Sequence, residues 1–274
     1  MQSLFVVVPF WNCEDLLRRC LASIEAQTRA ATIILIDDGS DAPARDVART
    51  FCEQNAERIY LSRADNGGPA AARHDGLRWV LDHAMSDDDI VLLLDGDDEL
   101  AHGQALATVT AVYAADPRVR MTLGGHRRTS GKPIYRRRYE RWHFDLGMVR
   151  AAPWRARPPR TFRVGLLRQA WPLLHWRWPD GSWVRSGTDV LLVLPMLALL
   201  RWHELVQLEE VLYVYNDVRP DGTTIESSAK GRWRQLCAEA YVRRSLTWGL
   251  LTLPRRLLMA AGGHMVRRAR SRHG

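Results

Sequence analysis

The sequence has few cysteines and sets none of them in a recognisable pattern. Cys13, Cys20, Cys52 and Cys237 form no CxxC pair and no metal-ligand spacing. That argues against a disulfide-stapled secreted scaffold and against a cysteine-held zinc site, and it fits a reduced cytoplasmic protein. No uninterrupted apolar run reaches the ~20 residues that cross a bilayer. The stretch 191–200 is apolar but short, and reads as a buried helix. The chain opens on a strand-like segment with no charged leader and no small-residue cleavage site, so no secretory signal is expected. Acidic residues are missing after Glu239, where Arg243, Arg244, Arg255, Arg256, Arg267, Arg268, Arg270 and Arg272 fall. These eight arginines equal the whole net charge of +8. Such an asymmetry points to an anionic partner for the tail, a membrane surface or a polyanion. A solvated, frayed terminus is the plain alternative.

What is present is ordinary in bulk. The 274 residues are 46% hydrophobic and 26% charged, enough for one large domain or one domain with an appendage. The first half alternates. Apolar, β-branched runs at 4–9, 32–36 and 90–94 read as strands, with shorter ones at 58–61 and 118–123. Between them, 14–27, 44–54, 69–83 and 102–114 carry helical spacing. Continuous apolar strands alternating with amphipathic helices predict βαβ units and a mostly parallel sheet covered on both faces. From 124 to 180 the pattern gives way to a loop-rich stretch dense in Arg, Trp and Pro. Helical character returns at 187–202, a short strand is expected at 211–215, and basic helices from about 232, interrupted at Pro254.

Ligands of such sheets bind beyond the carboxyl ends of the strands. Polar motifs sit at three of these ends: Pro9-Phe10-Trp11-Asn12, Asp37-Asp38-Gly39-Ser40 and Asp95-Gly96-Asp97-Asp98. Three carboxylates within four residues repel one another unless a cation sits among them. Mg²⁺ and Mn²⁺ take oxygen ligands, commonly one or two carboxylates plus substrate phosphates. Gly96 is read as the sharp turn after the strand, and a solvated Asp-rich turn is the competing account. Asp38 could accept hydrogen bonds from a nucleobase or ribose, while Ser40 or Asp41 would cap the next helix. Asn66-Gly67-Gly68-Pro69-Ala70-Ala71-Ala72-Arg73 is a turn running into a helix with a small-residue face. Arg73 lies one turn in, within reach of a base or phosphate.

These motifs occur in an order and spacing that resembles family 2 glycosyltransferases of the GT-A fold. VVVPFWN (6–12), IDDGS (36–40), NGGPAAAR (66–73) and LDGDD (94–98) carry the likeness over the first ~125 residues. Later segments are also similar: APWR (152–155), RTFR (160–163), Thr188-Asp189 ahead of an apolar helix with PML (195–197), and LYVYN (212–216). The resemblance implies a GT-A domain over 1–230 and a basic helical extension over 231–274. The nucleotide-sugar half would be 1–125 and the acceptor-side half 126–230. It implies inverting transfer from a nucleoside-diphosphate sugar, often UDP-linked, with Mn²⁺ or Mg²⁺ as cofactor. The acceptor would be a hydroxyl of a glycan or lipid-linked molecule, in surface polysaccharide biosynthesis.

By the same likeness Pro9, Phe10, Asn12, Asp37, Asp38, Gly68, Arg73, Asp95, Gly96 and Asp97 bind the nucleotide sugar. Asp97 or Asp98 holds the metal, and Asp189 matches the catalytic base. His74 stands where Asn is usual, and Thr188 precedes the base where Glu or Trp is common.

Asp189 could otherwise cap the helix that follows it. Trp154, Trp171, Trp176, Trp178 and Trp183 could line an acceptor groove or pack the core. His126 and His175 have no partner at ligand spacing and read as structural. The arginine tail interleaved with Trp248 and leucines suits an interfacial helix on anionic lipid, which would place the enzyme on the cytoplasmic membrane face. Two rivals remain: a sugar-phosphate nucleotidyltransferase, which would open on a glycine-rich basic loop, and a nucleic-acid-binding protein, which leaves the strand-end carboxylates unexplained. No specific nucleic acid is expected.

Overall fold

The structure is a computed structural model that describes residues 2–132, 134, 137–218 and 229–244. Its first half is a run of βα units. Strand β1 (Leu4–Phe10) lies at the centre, parallel to β2 (Thr32–Asp37) on one side and β4 (Ile90–Leu93) on the other. Strand β3 (Arg58–Ser62) extends the sheet beyond β2. Helices α1 (Glu14–Glu25), α2 (Ala42–Glu53) and α3 (Pro69–His83) make the crossovers. The side chains of β1 alternate between two cores: Phe5 and Val7 enter one, Leu4, Val6, Val8 and Phe10 the other. A strand with apolar residues at every position must be covered on both faces, which is why its sequence shows no alternation. Helix α1 closes one face with Leu17, Cys20, Leu21 and Ile24. Each fully buried aliphatic side chain of this kind contributes about 1.5–3 kcal/mol.

The second half is less regular. It contributes β5 (Glu99–Leu100), α4 (Ala105–Ala115), β6 (Met121–Arg128), α5 (Arg141–Asp145), β7 (Arg160–Arg163), α6 (Val164–Ala170), α7 (Thr188–Leu199), β8 (Leu205–Tyr215) and α8 (Ala229–Arg244). The sheet has the order β3-β2-β1-β4-β7-β6-β8-β5. Strand β7 runs antiparallel to both β4 and β6, while β6 and β8 are parallel to each other. The sheet is therefore mixed: parallel from β3 to β4, with β7 turned against it.

Several boundaries differ from expectation. β6 begins and ends later than 118–123, because its second half is a polar, glycine-bearing segment that pairs with β8. β8 starts six residues before 211, again through mixed polar residues. β7 carries two buried arginines, which read as surface until their partners are known. Arg163 donates from Nε to the Val119 carbonyl at 2.7 Å and pairs with Asp88 at 3.1 Å. Helix α8 is the first part of the expected 231–274 extension, and its Ala238 and Val242 are buried in the same core as α7. The interruption at Pro254 and the tail arginines from Arg255 onward lie outside the described residues. Among the described residues, no helix is long and apolar enough to cross a membrane.

Candidate active site

The strand ends are fastened to one another by their own motifs. The Gly96 amide donates to the Pro9 carbonyl at 3.0 Å, and the Asp38 amide to the Phe10 carbonyl at 3.0 Å. Asn12 adopts φ +43° and ties the first loop to the second. Its amide hydrogen bonds to Ser40 Oγ at 3.1 Å, and its Nδ2 to Asp41 Oδ2 at 2.9 Å. Ser40 and Asp41 therefore serve Asn12; neither makes a side-chain cap on α2. Gly96 has no positive φ, so the turn does not demand glycine for its conformation. It demands glycine for space: a Cβ there would lie 2.6 Å from Phe10 Cβ.

Asp37 and Asp38 are both buried and engaged. Asp37 accepts the Ser40 amide at 2.7 Å and the Tyr60 hydroxyl at 2.7 Å. Asp38 accepts the amides of Gly67 and Gly68 at 2.9 and 2.7 Å, and Arg63 pairs with it at 3.1 Å. Burial pushes the Asp38 carboxyl up, against the pull of those two amides and of Arg63. The Asn66–Gly68 loop is thus latched to the second strand end. It delivers α3, whose second turn opens on Arg73.

Arg73 is 5% exposed and sits between two acids. Its Nη2 meets Asp95 Oδ1 at 2.6 Å, its Nη1 meets Asp189 Oδ1 at 2.9 Å, and Nη1 also donates to Thr188 Oγ1. Burial works against its charge, but Asp95 and Asp189 more than offset it and hold the guanidinium's pKa above its ordinary value. The other oxygen of Asp189 meets Arg160 Nη2 at 2.8 Å. Asp189 lies in the first turn of α7, whose N-cap is Gly187 at φ +68° with no side-chain cap bond. Its carboxylate faces two arginines and does not cap the helix. Burial opposes its charge, while Arg160 and then Arg73 hold its carboxyl below the ordinary range. One third of the side chain, 34%, remains exposed.

The acidic cluster divides by role. Asp98 is buried, accepting the Tyr213 hydroxyl at 2.6 Å and the Asn216 amide at 2.7 Å. Burial, then Asp97 and Asp95 beside it, push its carboxyl well up, against those two donors. Tyr213 also accepts the Asp95 amide at 3.3 Å, so one hydroxyl joins both ends of the cluster. Asp95 and Asp97 are only partly buried. Among the described residues, no group of three or more His, Cys, Asp or Glu is arranged to hold an ion unaided. A Mg²⁺ or Mn²⁺ that completes its shell with phosphate oxygens needs only one or two carboxylates. Asp97, with Asp95 beside it, fits that donor set, while Asp98 is buried against Tyr213 and the Asn216 amide.

A family model described as glycosyl transferase family 2 matches residues 5–178. The chain belongs to glycosyl transferase family 2. It is 41% identical over 100 residues to the succinoglycan biosynthesis protein ExoW of Rhizobium meliloti, covering 36% of this chain and 30% of that one. It is 24% identical over 169 residues to the poly(ribitol-phosphate) beta-glucosyltransferase of Bacillus spizizenii, covering 60% of this chain and 25% of that one. The matched stretches thus span under a third of those two relatives' lengths. The fold is shared with S. aureus TarS residues 1–349 in complex with UDP-GlcNAc, at TM-score 0.61 and 17% identity over 83% of this chain and 61% of that one. It is also shared with the mannosyltransferase PcManGT of Pyrobaculum calidifontis in complex with GDP-Man and Mn²⁺, at TM-score 0.50 and 16% identity over 96% and 80%. The fold is of the GT-A type.

Within this family-2 domain, the anticipated residues come together at the carboxyl ends of the parallel strands β1, β2 and β4. Pro9, Phe10, Asn12, Asp37, Asp38 and Gly68 build the frame, and Arg73, Asp95 and Asp189 form one ion-paired line. Arg160, Tyr213 and Asn216 lie in segments similar to the family's, and their sequence alone assigns them no role. A charged residue inside a buried strand was the available signal for Arg160. The tryptophans pack around His74: Trp171, Trp176 and Trp183 have ring centroids 5.3, 5.6 and 5.4 Å from its ring. His126 packs edge-on to Tyr215, and His175 against Tyr241 of α8.

Proposed function

We propose that this chain is an inverting glycosyltransferase. It transfers a sugar from a nucleoside-diphosphate sugar, preferentially UDP-linked, to a hydroxyl of a glycan or lipid-linked acceptor in surface-polysaccharide assembly. The observation that carries this is the line Asp95–Arg73–Asp189–Arg160, which joins the residue after β4 to a partly exposed carboxylate in the first turn of α7. The names of the relatives, succinoglycan biosynthesis and poly(ribitol-phosphate) glucosylation, and the UDP-GlcNAc bound by TarS support the substrate classes.

In this mechanism Asp189 is the base. Its lowered pKa keeps it ionised at neutral pH, and each carboxylate oxygen has two acceptor sites. The arginines take one site on each oxygen, and a remaining site can receive the acceptor's hydroxyl proton. Arg73 and Arg160 fix the carboxylate's direction, so the attacking oxygen is held in line with the anomeric carbon. Asp95 and Asp97 hold the donor's ribose end, with Asp97 as metal ligand and Asp98 buttressing the turn. A divalent cation bound there would neutralise charge on the departing diphosphate. Asp38 and Gly68 shape the base-binding side. The arginine-rich tail would rest on anionic lipid beside lipid-linked acceptors. Full-length and tail-deleted protein binding anionic vesicles equally well would remove that role.

The deciding experiment is a screen of nucleotide sugars for nucleotide release with and without Mn²⁺, repeated with Asp189→Asn. Release from a UDP-sugar that needs Mn²⁺ is expected, falling at least ~10²-fold in the variant. Full activity in Asp189→Asn would remove Asp189 as base.

A further inference from the structure

Beyond Arg160 the sheet continues into a second, positively charged pocket. Leu123 of β6 pairs with Arg160 of β7, so Gly124 and Gly125 follow directly alongside the base's arginine. The two glycines are there for space. A Cβ at Gly124 would lie 2.2 Å from Pro159 Cδ, and one at Gly125 would lie 2.4 Å from the Glu210 carbonyl oxygen. Both clashes are with neighbouring segments of the chain, so the glycines let β6 pack closely there, and they line the pocket with backbone alone. Its walls carry Arg137, Arg138, Arg155 and Arg157, with about 40 Å³ of space between them. That is room for roughly three waters, about the size of one phosphoryl group.

Two of the four wall arginines are already neutralised by nearby acids. Arg138 pairs with Glu209 at 2.8 Å, and Arg155 lies 3.7 Å from Glu140. Among the described residues, Arg137 and Arg157 have no carboxylate within ion-pair distance. Arg157 faces a like charge: burial, then Arg128 beside it, lower its pKa. A half-buried guanidinium next to another guanidinium is unfavourable until an anion joins them. Arginine's planar fork suits phosphate oxygens in pairs.

We infer that the Gly124–Gly125 pocket binds a phosphate group of the acceptor, through Arg157 and Arg137, next to the catalytic base. This rests on the glycosyltransferase reading and narrows its acceptor to a phosphate-bearing one. The phosphate belongs either to a phosphodiester glycan chain or to a lipid-linked diphosphate.

The test is calorimetric titration of the full chain with a synthetic glycerol-phosphate hexamer, its neutral polyglycerol counterpart, and a short-chain polyprenyl diphosphate in detergent. Wild type, Arg157→Gln, Arg137→Gln/Arg157→Gln and Arg78→Gln are compared, with thermal midpoints to confirm folding. Arg78 is an exposed arginine on α3 paired with Asp82, and controls for net charge. Arg157→Gln is expected to weaken a phosphate ligand about fivefold and the double variant further, with Arg78→Gln within twofold. The ligand that loses affinity names the source of the phosphate. Equal binding by wild type and the double variant for both phosphate ligands overturns the proposal, as does equal binding of the neutral chain. Nucleotide release by wild type is measured alongside. If it is absent while the hexamer still binds through Arg157, the transferase reading fails and the pocket stands. If it is present while the hexamer ignores Arg157, the pocket alone fails.

Discussion

The two halves of the sheet treat charge in opposite ways. From β1 to the acidic cluster, the buried carboxylates are engaged by the chain itself. Asp37 holds Ser40 and Tyr60, Asp38 holds the Gly67–Gly68 amides, Asp89 holds the amides of Ser3 and Ser86, and Asp98 holds Tyr213 and Asn216. In the half that contains β6 and β7, arginines gather around a glycine-lined pocket, and among the described residues two of them have no carboxylate within ion-pair distance. Charge satisfied within the chain makes scaffold; charge left for a ligand makes a binding surface. Arg73 and Asp189 stand on the border, paired internally, with only Asp189 partly exposed.

Arg73→Met breaks the border and has the largest expected effect. It leaves Asp95 and Asp189 facing each other without their shared cation. Removing one partner of a buried ion pair costs about 3–5 kcal/mol, and the partial exposure of both acids brings this to about 3. Denaturant unfolding checks the stability. Nucleotide-release assays check the activity, which falls at least ~10²-fold if Asp189 is the base, because it loses one of its two positioning contacts.

Asp38→Asn tests whether the Asn66–Gly68 loop is latched to the end of β2. The substitution keeps the shape but turns one acceptor into an NH₂ group against the Gly67 or Gly68 amide. A buried donor left facing a donor costs about 2 kcal/mol. The loss appears in nucleotide-free protein by thermal unfolding. An unchanged midpoint, with only UDP affinity reduced, would make Asp38 a ligand contact and not a latch.

Arg160→Met separates positioning from stability. Asp189's folded pKa lies below its unfolded value of 3.8. Its ion pairs therefore stabilise the fold above that unfolded value, and the stabilisation is lost as pH falls through the lowered folded value. Removing Arg160 deletes the larger of the two cationic influences, so the pKa rises toward the ordinary carboxylate range. The acid limb of the rate profile moves to higher pH, with a stability cost of about 1.5 kcal/mol. An acid limb that does not move would take Asp189 out of the rate-determining protonation.

Much of this was legible from the residues alone, and the unread part has physical causes. β1, β2 and β4 announced themselves because strands buried on both faces are apolar throughout, and the strand-end motifs followed from their position. β6 and β8 were misplaced at their ends because their polar halves pair at the sheet's edge, where neither alternation nor apolarity is required. β5 is two residues long and leaves no periodic trace. Arg160 and Arg163 hid β7, since buried arginine is legible only once its partners across the fold are known. Gly96 reads in the sequence as a conformational turn, whereas contact with Phe10 is what excludes a side chain there.

The smallest expected effect concerns His74, where family resemblance leads one to look for Asn. Three tryptophans surround its ring, and Nδ1 lies 2.9 Å from Asp75 Oδ1. Asp75 in turn pairs with Arg63, the same arginine that reaches Asp38. The histidine is thus the aromatic plug between the tryptophan-rich second half of the chain and the Asp38 latch of the first. His74→Asn keeps a polar group for Asp75 but gives up ring packing worth about 0.5–1.5 kcal/mol, so a loss of about 1 kcal/mol is expected. If the plug couples the halves, the variant raises the KM for the acceptor and leaves the donor's KM unchanged. A change confined to the donor's KM would show that His74 serves the donor half alone.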